Sequence, residues 1–90
     1  MHEFGLMNDL LRKIENIAAK NGAVRVTRVR VRLGALSHIS ADHFRDHFRL
    51  VSKGTLAQGA ELEITESTDQ SDPHCQEIFM ESVDVEESHA

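Results

Sequence analysis

The stretch Arg28-Val29-Arg30-Val31-Arg32-Leu33 decides the fold of this 90-residue chain, because charged and apolar side chains alternate in it without a break. Successive side chains of a β-strand point to opposite faces, so this strand has an apolar face and an arginine face. Val24 and Val26 are out of phase with the later valines, which predicts either a strand that becomes regular only after Thr27 or a β-bulge. The strand therefore belongs to a sheet that is covered on one face only.

Two amphipathic helices are predicted to cover the apolar face of the sheet. From about Glu3 to Lys20, apolar residues recur every three or four positions, and Asn21-Gly22 follows as a helix stop. Ser40 is a candidate N-cap for a second helix that runs to about Lys53. The apolar stripe of this second helix consists of Ala41, Phe44, Phe48 and Val51.

Two more strands complete the pattern. Leu62 and Ile64 alternate with glutamates in one of them. The other runs from Ile78 to Glu86, and its four aliphatic or methionine side chains share one side only if a bulge lies near Glu81-Ser82. The polar residues 67–76 are expected to join these two strands as a hairpin loop. The order α-β-α-β-β predicts a single α+β domain, residues 1–90, with two helices packed on one face of a three-stranded sheet.

Composition excludes several classes of function. A formal charge of −5 argues against nucleic acid as a partner, because phosphate binding needs a basic surface. The single cysteine, Cys75, rules out an internal disulfide framework and suits a reducing compartment. The sequence has neither an apolar segment of membrane-spanning length nor the pattern of a signal peptide. We therefore expect a cytoplasmic protein without a membrane partner.

The first three residues, Met1, His2 and Glu3, contain the atoms of a metal chelate. The Met1 amine and the His2 backbone nitrogen close a five-membered ring with a metal. The His2 backbone nitrogen and the near imidazole nitrogen close a six-membered ring. Nitrogen-rich, tetragonal ligand sets of this kind suit Ni²⁺ and Cu²⁺, and Glu3 can add a backbone nitrogen or a carboxylate. We expect Met1 to be retained, because methionine removal requires a small second residue and His2 is large.

Three other groups of residues have patterns that are open to a plainer interpretation. His43 and His47, one helical turn apart, are either a metal clamp or a polar border of the Phe44-Phe48 stripe. The arginines at positions 25, 28, 30 and 32 are either a docking face for an acidic partner or a solvated face of the sheet. His74-Cys75 is too small a donor set for structural zinc and is interpreted as a loop with a free thiol. The sequence contains no phosphate-binding loop and no paired catalytic motif, so no motif in it indicates an enzyme.

Together, several segments in order along the chain resemble the HypA/HybF family of nickel-incorporation proteins. The resemblance covers nearly the whole chain. The segments that carry it are Met1-His2-Glu3, Gly22-Ala23, Val26-Thr27-Arg28-Val29, Leu33-Gly34-Ala35-Leu36-Ser37-His38, Gly54-Thr55-Leu56-Ala57, Gly59-Ala60, Leu62-Glu63-Ile64 and Ser82-Val83-Asp84-Val85-Glu86.

The resemblance implies a nickel metallochaperone that is not itself an enzyme. Members of the family bind nickel(II) at the N-terminal Met-His-Glu, which corresponds to Met1, His2 and Glu3 here. They deliver it, with a partner GTPase, to the large subunit of nickel-iron hydrogenase, and in some organisms to urease. An alternative is an adaptor paralogue that keeps the fold and binds maturation partners without delivering metal.

The chain departs from the family pattern at two places. Family members carry a zinc module with two Cys-x-x-Cys knuckles where this chain has only residues 67–76, so we expect no structural zinc. Some members also have an acidic nickel ligand at the position of Ser40. Because Ser40 is a poorer donor, His38 and Asp42 are candidates for the remaining nickel ligand.

Overall fold

The computed structural model describes residues 2–73 and 75–87, with side chains in the first helix from Met7 onward. Five elements follow one another along the chain: helix α1 His2–Lys20, strand β1 Ala23–Leu33, helix α2 Ala41–Val51, strand β2 Glu61–Glu66 and strand β3 Ile78–Glu87. The order predicted from the sequence is confirmed. The boundaries of the helices, β2 and β3 agree with the prediction to within about two residues, whereas β1 begins at Ala23, before the alternating stretch that starts at Arg28.

Strand β1 is the centre of a mixed sheet with the strand order β2-β1-β3. It pairs in parallel with β2, from Arg28 opposite Glu61 to Leu33 opposite Glu66. It pairs antiparallel with β3, and Leu33 there lies opposite Ile78. Because α2 connects two parallel strands, it serves as the crossover that a parallel pair requires.

Both helices begin at the same end of the sheet. Helix α1 reverses into β1 through Asn21-Gly22, where Gly22 has a φ of 63° that favours glycine, so α1 runs antiparallel to β1. Helix α2 returns the chain from the end of β1 to the start of its parallel neighbour, so it also runs antiparallel to β1. The two helix N-termini therefore lie at the carboxyl end of β1.

The expected hairpin between β2 and β3 is wrong, because these strands occupy opposite edges of the sheet with β1 between them. The segment 67–77 instead passes across the carboxyl end of β1. The Ser67 N–H donates to the Leu33 carbonyl at 2.9 Å, and the Gly34 N–H donates to the Glu77 carbonyl at 2.9 Å. Strand β3 pairs with the edge of β1 that β2 leaves free, and does not pair with the outer edge of β2.

The bulge predicted near Glu81-Ser82 is confirmed, and of the two alternatives at Thr27 the structure has the bulge. The β1–β3 register shifts between Val26 and Arg28, so the intervening Thr27 interrupts the alternation of faces. A second shift moves the partner from Ser82, opposite Arg30, to Met80, opposite Val31, and leaves Glu81 as the extra residue. This bulge brings Val83 and Val85 to the same side as Ile78 and Met80, and all four pack against the core.

The core lies between the helices and the valine face of the sheet. Phe44 and Phe48 of α2 are fully buried, and their rings stack with centroids 6.3 Å apart. Burial of a side chain of this size stabilises a fold by about 1.5–3 kcal/mol. The buried apolar residues are Met7, Leu10, Leu11, Ile14, Ala18, Val26, Val29, Val31, Leu33, Phe44, Phe48 and Ala57. The prediction of two helices on one face of a three-stranded sheet is thus confirmed.

Candidate functional site

The predicted ligands Met1, His2 and Glu3 fall only partly within the described structure. The backbone of His2 and Glu3 forms the first turn of α1, at the end of the sheet at which both helices begin. Met1, and the side chains of residues 2–6, lie outside the described part of the chain.

Ser40 caps α2 at this end, as predicted. It has extended backbone angles, φ −83° and ψ 160°, and its hydroxyl accepts a hydrogen bond from the His43 N–H at 3.2 Å. This is the geometry of a helix N-cap, in which a short polar side chain satisfies an otherwise unbonded amide. The Ser40 hydroxyl is thus engaged in stabilising the helix.

Glu66 adds a carboxylate to the same helix end, which sequence reasoning missed. Its Oε2 accepts a hydrogen bond from the Ala41 N–H, the first amide of α2, at 3.0 Å. A carboxylate is also favoured here by the positive end of the helix dipole. The parallel register that places Glu66 opposite Leu33 is the signal that would have revealed it.

The candidate extra donors, His38 and Asp42, flank Ser40 at this end of the sheet. His38 is exposed and has a φ of 60°, in the left-handed region that non-glycine residues seldom occupy. Asp42 lies in the first turn of α2, where its carboxylate is 3.8 Å from the Arg45 guanidinium. Both side chains are thus on the surface beside the helix N-terminus.

His43 and His47 bring two imidazole nitrogens close together on α2. Their Nε2 atoms are 3.2 Å apart, and the rings meet edge to face with centroids 4.4 Å apart. His43 is exposed and His47 is half-buried, while the neighbouring Phe44 and Phe48 are in the core. The pair therefore borders the core, as the plainer interpretation predicts, and it also presents two metal donors in one place.

The arginine face of the sheet carries its own counter-ions. Arg30 Nε lies 3.0 Å from a carboxylate oxygen of Glu63 on β2. Arg32 lies 3.8 Å from a carboxylate oxygen of Asp72, and its guanidinium stacks over the Phe79 ring at 5.2 Å from the centroid. An acidic partner would compete with these carboxylates, which favours the interpretation of a solvated sheet face.

The connection 67–77 contains the single thiol, Cys75, which is half-buried. Its backbone is held at both ends, because its N–H donates to the Asp72 carbonyl at 3.0 Å and its carbonyl accepts from the Leu36 N–H at 2.6 Å. Its sequence neighbour His74 lies outside the described residues. Within the described ranges, no three His, Cys, Asp or Glu side chains converge on a common point. The described side chains therefore do not match the four-ligand pattern of structural zinc.

A groove of about 350 Å³ lies between α2 and β2. Its ionisable lining residues are Arg45, Arg49 and Glu61. Because arginine remains protonated, this lining does not provide the acid and base pair that proton-transfer catalysis uses. Among the described helices, none is long and apolar enough to cross a bilayer.

Comparison with known proteins identifies the family. A family model described as "Hydrogenase/urease nickel incorporation, metallochaperone, hypA" matches residues 1–88. The hydrogenase maturation factor HypA of Klebsiella pneumoniae subsp. pneumoniae is 46% identical over 66 residues, which cover 73% of this chain and 58% of that protein. The hydrogenase maturation factor HypA of Archaeoglobus fulgidus is 39% identical over 75 residues, which cover 83% of this chain and 66% of that protein. The chain spans 57% of the length of the Acidithiobacillus ferrooxidans relatives, which are 39% identical over 64 residues, or 71% of this chain.

The fold is that of two solved structures. The solution structure of the Ni metallochaperone HypA from Helicobacter pylori superposes with a TM-score of 0.78 at 18% identity, over 96% of this chain and 98% of that one. A second solution structure of a HypA protein superposes with a TM-score of 0.73, also at 18% identity, over 94% of this chain and 96% of that one. With the family model matching almost the entire sequence, this chain belongs to the HypA family.

Proposed function

We propose that this protein binds nickel(II) through Met1, His2 and Glu3 and hands it on during maturation of a nickel-iron hydrogenase. The observation that supports this function best is the match of residues 1–88, including these three residues, to a family of nickel-incorporation metallochaperones. Nickel is thus the cargo of the protein. The chemistry of the mature metalloenzyme belongs to the recipient, and this protein is not an enzyme.

The proposed binding chemistry is that of an N-terminal chelate. In a chain that starts at Met1, the free amine, the His2 amide nitrogen and the His2 imidazole close two adjoining rings around one metal ion. These donors belong to two consecutive residues. Metal binding therefore restricts few additional rotatable bonds of the chain. A deprotonated amide and neutral amine and imidazole nitrogens form the tetragonal field that Ni²⁺ accepts.

The start of α2 supplies the remaining ligand in this proposal. Asp42 is the favoured donor, because its exposed ion pair with Arg45 at 3.8 Å is easily broken. His38 is the second candidate, on the loop that leads into the helix. Both lie on the same end of the sheet as the first turn of α1, so the chain topology allows either side chain to approach the chelate.

The proposed nickel domain folds without structural zinc. The connection 67–76 occupies the place of the zinc module of the family, and one thiol falls short of the four ligands that such a site needs. The strands on either side of it pair with β1 directly, which supports a sheet that forms without a metal. Partner recognition in this chain then rests on the nickel domain itself.

The proposed partners are a nickel-accessory GTPase and the hydrogenase large subunit, with urease as a second possible recipient. A calorimetric titration of the protein with NiCl₂ tests the binding step. We expect one tight equivalent that His2→Ala removes and that the His43→Ala/His47→Ala double change leaves nearly intact. If the parent protein takes up no tight equivalent, the adaptor function, which binds maturation partners without metal, replaces the one proposed.

A further inference from the structure

We propose that His43 and His47 form a second divalent-metal site on α2, separate from the N-terminal chelate. Its ligand class is a borderline metal ion that imidazole binds well, namely Ni²⁺, Cu²⁺ or Zn²⁺. The inference goes beyond the proposed function and does not depend on it, because it uses only described side chains of α2.

The distance between the two donors fits chelation. The Nε2 atoms are 3.2 Å apart. If each nitrogen is about 2.0–2.1 Å from a shared metal, the two are about 2.9 Å apart at a right angle and about 3.4 Å apart at the tetrahedral angle. The observed separation lies between these values, so the distance between the two donors matches that of a chelating pair.

The helix holds this pair in place. Residues four apart lie on one face of a helix, one turn above the other. The buried Phe44 and Phe48, which alternate with the two histidines, fix the orientation of α2 on the sheet, and the Ser40 cap holds its first turn. A metal therefore meets two preorganised imidazoles, and the entropy lost on binding is small.

The charge around the pair is balanced. Asp42 and Asp46 immediately precede the two histidines in sequence, and Arg45 and Arg49 of the same helix offset their charges. The proposal therefore rests on the two imidazole donors and not on the surrounding charge. Two protein ligands leave the other coordination positions to water, so we expect weaker binding than at a closed four-ligand site.

The same geometry is consistent with a metal-free hydrogen bond, in which one imidazole N–H donates to the Nε2 of the other. In that arrangement one Nε2 carries a proton, and metal binding displaces it. The site is therefore distinguished from a simple hydrogen bond by whether a metal can take the place of that proton. A titration decides between the two.

The test uses a protein with residues added before Met1, so that the α-amine chelate is absent. Titration of this extended protein with NiCl₂ and, separately, CuCl₂ should show one saturable equivalent. His43→Ala should weaken it at least about tenfold, because a chelate gains its affinity from the second donor acting intramolecularly. His89→Ala is the matched control, a histidine that belongs to neither proposed site, and should leave the affinity unchanged.

A parallel titration of the protein with its native N-terminus separates this proposal from the previous one. We expect two equivalents for the parent and one tight equivalent for His43→Ala/His47→Ala. Helical circular dichroism checks that each variant is folded, and the exposed position of His43 makes His43→Ala the safer single change. If the extended protein shows no saturable binding, or if His43→Ala binds as the extended parent does, the α2 site is contradicted and the N-terminal proposal is untouched.

Discussion

The guanidinium of Arg28 holds the carboxylate of Glu61 through two hydrogen bonds to Oε2, 3.0 Å from Nη2 and 3.2 Å from Nε. The parallel register places these residues opposite each other on the wet face of the sheet. Arg28 Nε is also 3.3 Å from Glu63. The hydrogen bond to Glu61, with the charges of Glu63 and Glu61, raises the pKa of the Arg28 guanidinium.

The ion pairs of Arg28 with Glu61 and Glu63, and of Arg30 with Glu63, form a ladder on the sheet. This ladder predicts how the stability of the fold responds to salt. Glu63 contacts both Arg28 and Arg30, so Glu63→Gln should lower the urea midpoint slightly at low ionic strength. The difference from the parent should vanish at high ionic strength, because salt screens exposed charges. Glu15→Gln, on the exposed side of α1, is the charge-matched control. An equal midpoint for the Glu63 variant and the parent in low salt would show that the ladder does not stabilise the fold.

The aromatic stripe of α2 should dominate the stability of the domain. Phe44 is fully buried, and truncating a buried phenylalanine to alanine costs about 3–5 kcal/mol through lost burial and the cavity left behind. Leu50→Ala, on a residue that is 60% exposed in the same helix, should change the free energy of unfolding by less than about 0.5 kcal/mol. Urea unfolding followed by circular dichroism measures both. Similar losses for the two variants would mean that α2 does not pack as described.

The capping position offers a test of the nickel ligand set. Ser40→Asp keeps an N-cap of equal quality and adds a carboxylate at the end of the molecule where α1 begins, so it should tighten nickel binding severalfold. Ser40→Asn caps the helix equally well without the charge and should leave nickel affinity unchanged. Ser40→Ala should cost about 1 kcal/mol of stability through loss of the cap. If Ser40→Asp and Ser40→Asn bind nickel equally, the start of α2 is too far from the chelate to contribute.

The domain should remain folded in a strong chelator. When a metal is part of a fold, its binding free energy is also folding free energy, and removing it unfolds the protein. Here we expect the helical circular dichroism and the thermal midpoint to be the same with and without EDTA, and metal analysis of the purified protein to find no stoichiometric, tightly held zinc. A loss of helical signal in EDTA would demonstrate a structural metal.

Local patterns in the sequence were sufficient to predict the helices and strands of this fold. They were not sufficient to predict which strands pair with each other. The phase change at Val26 indicated a bulge or a later start of the regular strand, and the parity change before Val83 indicated a bulge, because the residues of a buried strand face must share one side. The β2–β3 hairpin was wrong because strand pairing depends on which edges of β1 are free, and the alternation within each strand carries no such information. The 3.2 Å contact of His43 with His47 follows from helical spacing alone. The Glu66 hydrogen bond to Ala41 joins residues 25 apart in sequence and needed the sheet register.

The central claim is that nickel binds at the N-terminus, and the most direct test is a matched pair of calorimetric titrations with NiCl₂. One protein begins at Met1, and the other carries a single additional residue before it. Extension converts the α-amine to an amide and moves the free amine out of ring-closing reach of His2. We predict that the tight equivalent is present in the first protein and absent from the second, while any weaker binding at His43 and His47 persists in both. Equal tight binding by the two proteins would contradict the N-terminal site.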